Sequence, residues 1–394
     1  MRKLETPAYI VKEKVLENSI NSLNSALSNN FKNSIFSYSL KTNSLPYILE
    51  RVKSHGGFAE VVSSDEYELA RLVGFDINKI VYNGPLKCKN TFIEAVTGGA
   101  IVNIETKREI KWLNELPKDQ KYSVGIRINI DLADISPDDA KENEDYSRFG
   151  FSSENNELEQ AITDILKYKN IKLVGLHVHR TTLSRSVNVY ERVASYVSNI
   201  AKKHSLDLKY IDIGGGFYGI MEGKPTFDEY FKAIKKGLEA YFDLNLITII
   251  VEPGNAIVAS AIDFISAVID VKKIRDFYLI TTDGSRNDLD PFYKKSKYFH
   301  SLIYSDSKEY QVPLQIVGGG TCLEYDKIFE VENQNLLAVG DVIKYESVGA
   351  YTMTLSPLFI RFFPNVYLKD TNGYRLIRKK WSASDFYNIY KTEE

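Results

Sequence analysis

Cysteine is nearly absent from this chain: Cys88 and Cys322 are the two in 394 residues. Two thiols build no disulfide framework and fit a reducing compartment. Neither sign of charge is in excess, with 50 basic against 52 acidic side chains and a formal net charge of −2. That balance gives no electrostatic case for nucleic acid or for an anionic membrane surface. No run is long and apolar enough to span a bilayer, and the opening MRKLETPAYIVKEK lacks the apolar core of a signal peptide. The expectation is a soluble, cytoplasmic protein. Proline- or serine-rich linkers, low-complexity tracts and short repeats are also missing. What is present is a hydrophobic content of 44%, enough to bury one large core and a second.

The first 250 or so residues repeat one theme. A short β-branched or aromatic run ends in glycine, asparagine or a charged residue, and an amphipathic stretch follows. The runs are IFSYSLK (35–41), FAEVVS (58–63), KIVYNGP (79–85), AIVNIET (100–106), YSVGIRINI (122–130), KLVGLHVHR (172–180), LKYIDIGGG (208–216) and LITIIVEPG (246–254). Stretches such as SDEYELARLVGF place apolar residues three and four apart, the helix spacing. Eight strands alternating with helices predict an α/β fold, a (β/α)8 TIM-type barrel, with an open doubly wound sheet as the alternative. After about residue 260, DFISAVIDVKKI, DFYLITTDGS, LQIVGG, DVIKYESVGAYTM and GYRLIRKKW read as strands separated by turns. The expected division is a barrel over 30–265, with 1–29 and 266–394 forming an all-β domain, a sandwich or small barrel that takes in the N-terminal segment.

In such a barrel chemistry gathers at the C-terminal ends of the strands. Those ends carry Lys41, Arg127, Asn129, His177, His179, Arg180, the run Gly214–Gly216, Glu252 and Gly254. Three successive glycines let backbone N–H groups approach an anion closely, although a plain tight turn would look the same. A carboxylate such as Glu252, after so apolar a run, needs a partner, and a protonated pyridine nitrogen would serve. His177 and His179 lie two apart and would share a face of a strand, but no further His or Cys sits at ligand spacing, so no metal site is expected. One of the two would stack on a flat ring. A lysine able to form an imine, an anion cradle, a ring-stacking histidine and a carboxylate for a ring nitrogen describe a site for pyridoxal 5′-phosphate.

Seven segments sharpen this: FSYSLKTN (36–43), HRTT (179–182), DIGGG (212–216), EPGN (252–255), DGSRND (283–288), Cys322 with Asp326 four residues on, and GAYT (349–352). In this order, across nearly the whole chain, they resemble the fold-type III pyridoxal-phosphate-dependent decarboxylases, which include diaminopimelate and ornithine decarboxylases. The resemblance implies that Lys41 holds the cofactor as an imine and His179 stacks on its ring. Gly215, Gly216, Thr182 and Tyr351 would hold the phosphate, beside Gly254, and Glu252 would keep the pyridine nitrogen protonated. It implies a homodimer with shared active sites, in which Cys322 protonates Cα after CO2 leaves and Asp326 reaches the partner's site.

Departures from the family pattern bear on substrate. The arginine of the family's EPGR is Asn255 here, and an arginine of the β domain is Asp290. Arginine grips carboxylates in a bidentate way that neither replacement reproduces. Diaminopimelate is therefore not the expected substrate. Asp290, Glu324, Asp326 and Arg127 are the candidate substrate-binding residues, for a basic, non-standard, conjugated or carrier-linked amino acid. An amino-acid racemase and a non-catalytic, decarboxylase-like regulator are the rival readings.

Overall fold

The computed structural model describes residues 4–140, 147–180, 182, 184–306 and 310–391. The chain divides into two compact units, one of Asn18–Ile257 and one of Met1–Glu17 with Val258–Glu394.

Within the first unit eight strands are parallel: β1 (Ser34–Ser39), β2 (Phe58–Ser63), β3 (Ile80–Leu86), β4 (Ile101–Ile104), β5 (Tyr122–Asn129), β6 (Ile171–Val178), β7 (Tyr210–Asp212) and β8 (Thr248–Val251). Their spatial order is β4-β3-β2-β1-β8-β7-β6-β5. Pairing of Asn103 with Gly125 and Ile104 with Ile126 joins β4 to β5 and closes the barrel. A short strand, Phe151–Ser152, adds to the outer end of β5. Buried on both faces, these strands are rich in β-branched and aromatic residues, which makes them legible as strands, with buried polar residues such as Glu60, Asn83 and Asn103 among them. The helices between them are amphipathic. In Val187–Lys203, Val189, Val193, Val197 and Ile200 fall on one buried stripe. Thr226 and Glu229 form a reciprocal capping box at the start of Phe227–Leu238.

The second unit is a β domain. Its main sheet runs in the order Lys327–Asn335, Gln311–Gly318, Phe277–Thr282, Ile262–Ile274, Ala8–Lys12, Asn365–Asp370, Gly373–Arg378. Val342–Tyr345 pairs with Ile262–Ile274 and with His300–Ile303. The N-terminal strand Ala8–Lys12 sits inside this sheet, antiparallel to Ile262–Ile274 and parallel to Asn365–Asp370. The fold is thus a (β/α)8 barrel with a C-terminal β domain that incorporates the N-terminus.

The contact boundaries fall elsewhere than 30 and 265. The helix Glu13–Asn30 buries Ile20, Leu23 and Leu27 at helical spacing, and from Asn18 onward it belongs to the barrel unit. Ile262–Ile274 is one continuous strand and lies whole in the β unit. Among the described residues, no helix is long and apolar enough to cross a membrane.

Candidate active site

The barrel interior is wired by side chains from several strands. Tyr210, on β7, fills space that Gly125 and Gly175 leave. A Cβ on Gly175 would stand 1.9 Å from Cζ of that ring, and one on Gly125 would stand 2.1 Å from its hydroxyl oxygen. The Tyr210 hydroxyl donates to Asn103 Oδ1 at 2.7 Å. Asn103 Nδ2 donates to Asn83 Oδ1 at 2.8 Å. Asn83 Nδ2 then donates to Glu252 Oε1 at 2.5 Å and to Glu60 Oε1 at 3.2 Å. Because two carboxylates face Asn83, its amide must present nitrogen to them, and that choice orients Asn103 in turn.

Lys41 lies just past β1, in the 3₁₀ turn Leu40–Thr42. The predicted strand over 35–41 ends two residues sooner, at Ser39. The turn packs against the end of β8, where a Cβ on Gly254 would stand 1.9 Å from Thr42 Oγ1. Lys41 Nζ donates to Glu60 Oε2 at 2.8 Å, and Ser39 Oγ donates to the same oxygen at 2.6 Å. The lysine side chain is 40% exposed while Glu60 is buried, so the amine faces an opening with its counter-ion behind it.

Glu252, buried past the end of β8, has Oε2 3.5 Å from His177 Nε2. Burial alone would push its carboxyl up. His177, a hydrogen bond from Asp212 and the charge of Lys41 outweigh burial and hold it well below the usual carboxylate range. Asp212 shows the opposite: burial, then the neighbouring Glu252, push its carboxyl well up, against the Gly214 N–H it accepts at 2.9 Å. His179 lies past the end of β6, and its Nδ1 accepts from Gly215 N at 3.3 Å. Burial, with Arg127 and Lys41 nearby, lowers its pKa to about 3, so the ring is uncharged at neutral pH.

The glycine run leaves β7 at once. The strand expected over 208–216 is confined to Tyr210–Asp212, since Gly214 and Gly216 adopt φ of +70° and +90°. Gly215 has no room for a side chain, because a Cβ there would stand 2.2 Å from Glu252 O. Thr182 Oγ1 accepts from Arg185 N at 2.9 Å, and its neighbours at 181 and 183 lie outside the described residues. Arg127, on β5, is buried and donates to Glu105 Oε2 at 2.9 Å, with its guanidinium over the Phe149 ring. Beside it lies a fully buried pair, Lys87 Nζ to Glu109 Oε2 at 3.2 Å.

The remaining candidates belong to the β unit. Asp326 is buried and accepts from Ser285 Oγ, Arg286 N and Thr321 Oγ1, so it ties two loops together. Asp290 accepts from Arg286, Lys295 N and Tyr298. Arg361 donates to Asp288, which also caps the short helix Arg286–Leu289. Cys322 and Glu324 are exposed, and Tyr351, 40% exposed, has φ of +56°.

The barrel therefore brings Lys41, His179, Gly215, Glu252 and Gly254 to one end. Glu60, Asn83, Asn103 and Asp212, which surround them, went unassigned in the sequence. Their signal was a polar residue flanked by apolar ones within each of FAEVVS, KIVYNGP, AIVNIET and YIDIGGG. A half-exposed amine, backbone N–H groups with no Cβ in the way, an uncharged imidazole and a buried anionic carboxylate fit a phosphorylated pyridine aldehyde.

A family model for the pyridoxal-dependent decarboxylase, pyridoxal binding domain, matches residues 17–259. A diaminopimelate decarboxylase of Aquifex aeolicus is 26% identical over 388 residues, covering 95% of this chain and 89% of the relative. An L-glutamyl-BtrI acyl-carrier protein decarboxylase of Niallia circulans is 22% identical, covering 98% and 93%. The crystal structure of an M. jannaschii diaminopimelate decarboxylase superposes with a TM-score of 0.85 at 24% identity, over 99% of this chain and 93% of that one.

Proposed function

Because the chain belongs to the pyridoxal-dependent decarboxylases, and is thereby a pyridoxal-phosphate-dependent carboxy-lyase, we propose that it removes the α-carboxylate of an amino acid other than diaminopimelate. The substrate is a basic, non-standard, conjugated or carrier-linked amino acid. The observation that carries this is the engagement of two arginines of the β unit: Arg286 is paired with Asp290 and Arg361 with Asp288. With Asn255 and Asp290 standing where the family carries arginines, this leaves little to grip a distal carboxylate. The relative named for an acyl-carrier-protein-linked glutamyl group supports a substrate range beyond diaminopimelate.

Bound pyridoxal phosphate supplies the electron sink for the charge left on Cα when CO2 departs. Lys41 provides the amine that attaches it. Gly215 and Gly216, with Thr182, would hold its phosphate. His179 presents an uncharged ring to its face, and Glu252 keeps a proton on the pyridine nitrogen. Cys322 returns a proton to Cα, and the enzyme works as a cytoplasmic homodimer.

A CO2-release screen over ornithine, lysine, arginine, diaminopimelate and glutamyl conjugates tests the reading. Turnover of a basic or conjugated amino acid ahead of diaminopimelate is expected, and preferred release from diaminopimelate would overturn it. Following one enantiomer in the same assay separates loss of CO2 from racemisation.

A further inference from the structure

Asp212 and Glu252 lie side by side in the barrel floor. One side-chain oxygen of each and one ring nitrogen of His177 fall within 4.8 Å of one another, and all three residues are buried. Two carboxylates in so dry a place cannot both ionise unless cations match them. Lys41 is already paired with Glu60, and Arg127 with Glu105. Among the described residues, the other elements facing the pair offer Tyr210, the uncharged ring of His179 and the amides of Asn83 and Asn103, which bring no charge. Glu60 is a third carboxylate whose field acts in the same sense. With at most one positive ring among them, the two acids retain a proton.

The geometry decides which acid keeps it. Glu252 receives the short contact from Asn83 and faces both His177 and the Lys41 charge, so its anion is well supported. Asp212 Oδ1 accepts from Gly214 N at 2.9 Å. Its Oδ2 has a long contact of 3.4 Å from Asn103 Nδ2, which leaves that oxygen able to carry hydrogen.

We infer that Asp212 is a protonated acid at neutral pH and acts as a positioning residue, donating its hydrogen to Glu252 and so fixing the latter as the single anion of the barrel floor. This rests on the assignment of Glu252 to the cofactor's ring nitrogen. It adds that the counter-charge is set by a neutral acid one shell further in. An asparagine at 212 should replace the acid almost without effect, since its amide donates in the same direction.

The test uses the enzyme as purified, with its cofactor. In heavy water at neutral pH, an infrared difference spectrum of wild type minus Asp212→Asn should contain the carbonyl stretch of a protonated carboxylic acid. Absence of that band overturns the inference, whether or not cofactor is bound. Asp212→Asn should keep the wild-type cofactor affinity and the wild-type pH profile of the bound cofactor's absorbance. Asp212→Ala, which donates nothing, should bind cofactor roughly tenfold or more weakly. A loss in Asp212→Asn as large as in Asp212→Ala, or no loss in either, would equally overturn it. Failure of the wild type to bind pyridoxal phosphate at all would instead count against the proposed function, and leaves the infrared result standing on its own. Should Asp212→Ala not fold, the infrared band and the Asp212→Asn absorbance profile decide.

Discussion

Lys41 Nζ and Glu60 Oε2 lie 2.8 Å apart, with the carboxylate buried and the amine at an opening. Glu60 therefore holds the amine in place while leaving it accessible. Lys41→Ala should abolish the visible band of the lysine–cofactor bond together with turnover. Glu60→Gln keeps a hydrogen-bonding side chain but loses the charge. It should retain the band and lower turnover by roughly ten- to a hundredfold, the worth of one charge-assisted contact. Absorbance and CO2 release on the two variants check this, and an undiminished rate in Glu60→Gln would contradict it.

Glu66 predicts a particular pH dependence. Burial raises its carboxyl to about 7, opposed by the Val62 N–H it accepts and assisted by the charge of Glu60. Between its ordinary 4.5 and about 7 the native state binds more protons than the unfolded chain, so this group makes stability fall as pH rises. The full effect is no more than about 3 kcal/mol. His179, lowered to about 3, works in the opposite sense: stability it contributes near neutrality is lost as pH falls below the ordinary 6.5. Urea unfolding at a series of pH values should show that Glu66→Gln gains on wild type as pH rises through that window. A constant difference would contradict the assignment.

Arg286 donates to Asp290, which is nearly buried. Arg286→Ala leaves that carboxylate without its cation and should cost about 3 kcal/mol of unfolding free energy. KM for whichever substrate the screen selects should change little. If instead KM for an anionic substrate climbs and stability holds, Arg286 grips substrate and the proposed specificity falls.

The pair of Lys87 and Glu109 is fully buried. Lys87→Met strands a carboxylate and should destabilise by about 3–5 kcal/mol, whereas Lys87→Met with Glu109→Leu should recover most of that loss. Denaturant midpoints for the double-mutant cycle measure it, and additive losses would mean that the two charges do not interact.

Much of the barrel was legible because a parallel strand buried on both faces favours apolar, β-branched residues, as in Ile249, Ile250 and Val251 within LITIIVEPG. Strand ends were overrun wherever backbone geometry decides, as at Gly214 and Gly216 with their positive φ. Lys41, Glu252 and His179 stood out as charged or ring groups at strand ends. Glu60, Asn83 and Asn103 did not, because a polar residue among apolar ones acquires meaning when parallel pairing sets β2, β3 and β4 side by side. In the β unit, KIFEVENQN is too polar to announce itself, yet pairs along its length with Gln311–Gly318. Asp290 and Asp326 were visible as charges, while their filling by local donors depends on loop geometry that spacing does not carry.

The ring at 210 and the two bare positions at 125 and 175 constrain one another's variation. A chain with this barrel can acquire a methyl at either bare position after it has surrendered the aromatic, and surrendering the aromatic removes the hydroxyl that begins the amide sequence ending at Glu252. Drift at a residue far from the opening is thereby tied to the charge that faces it, and the three sites can change only in concert.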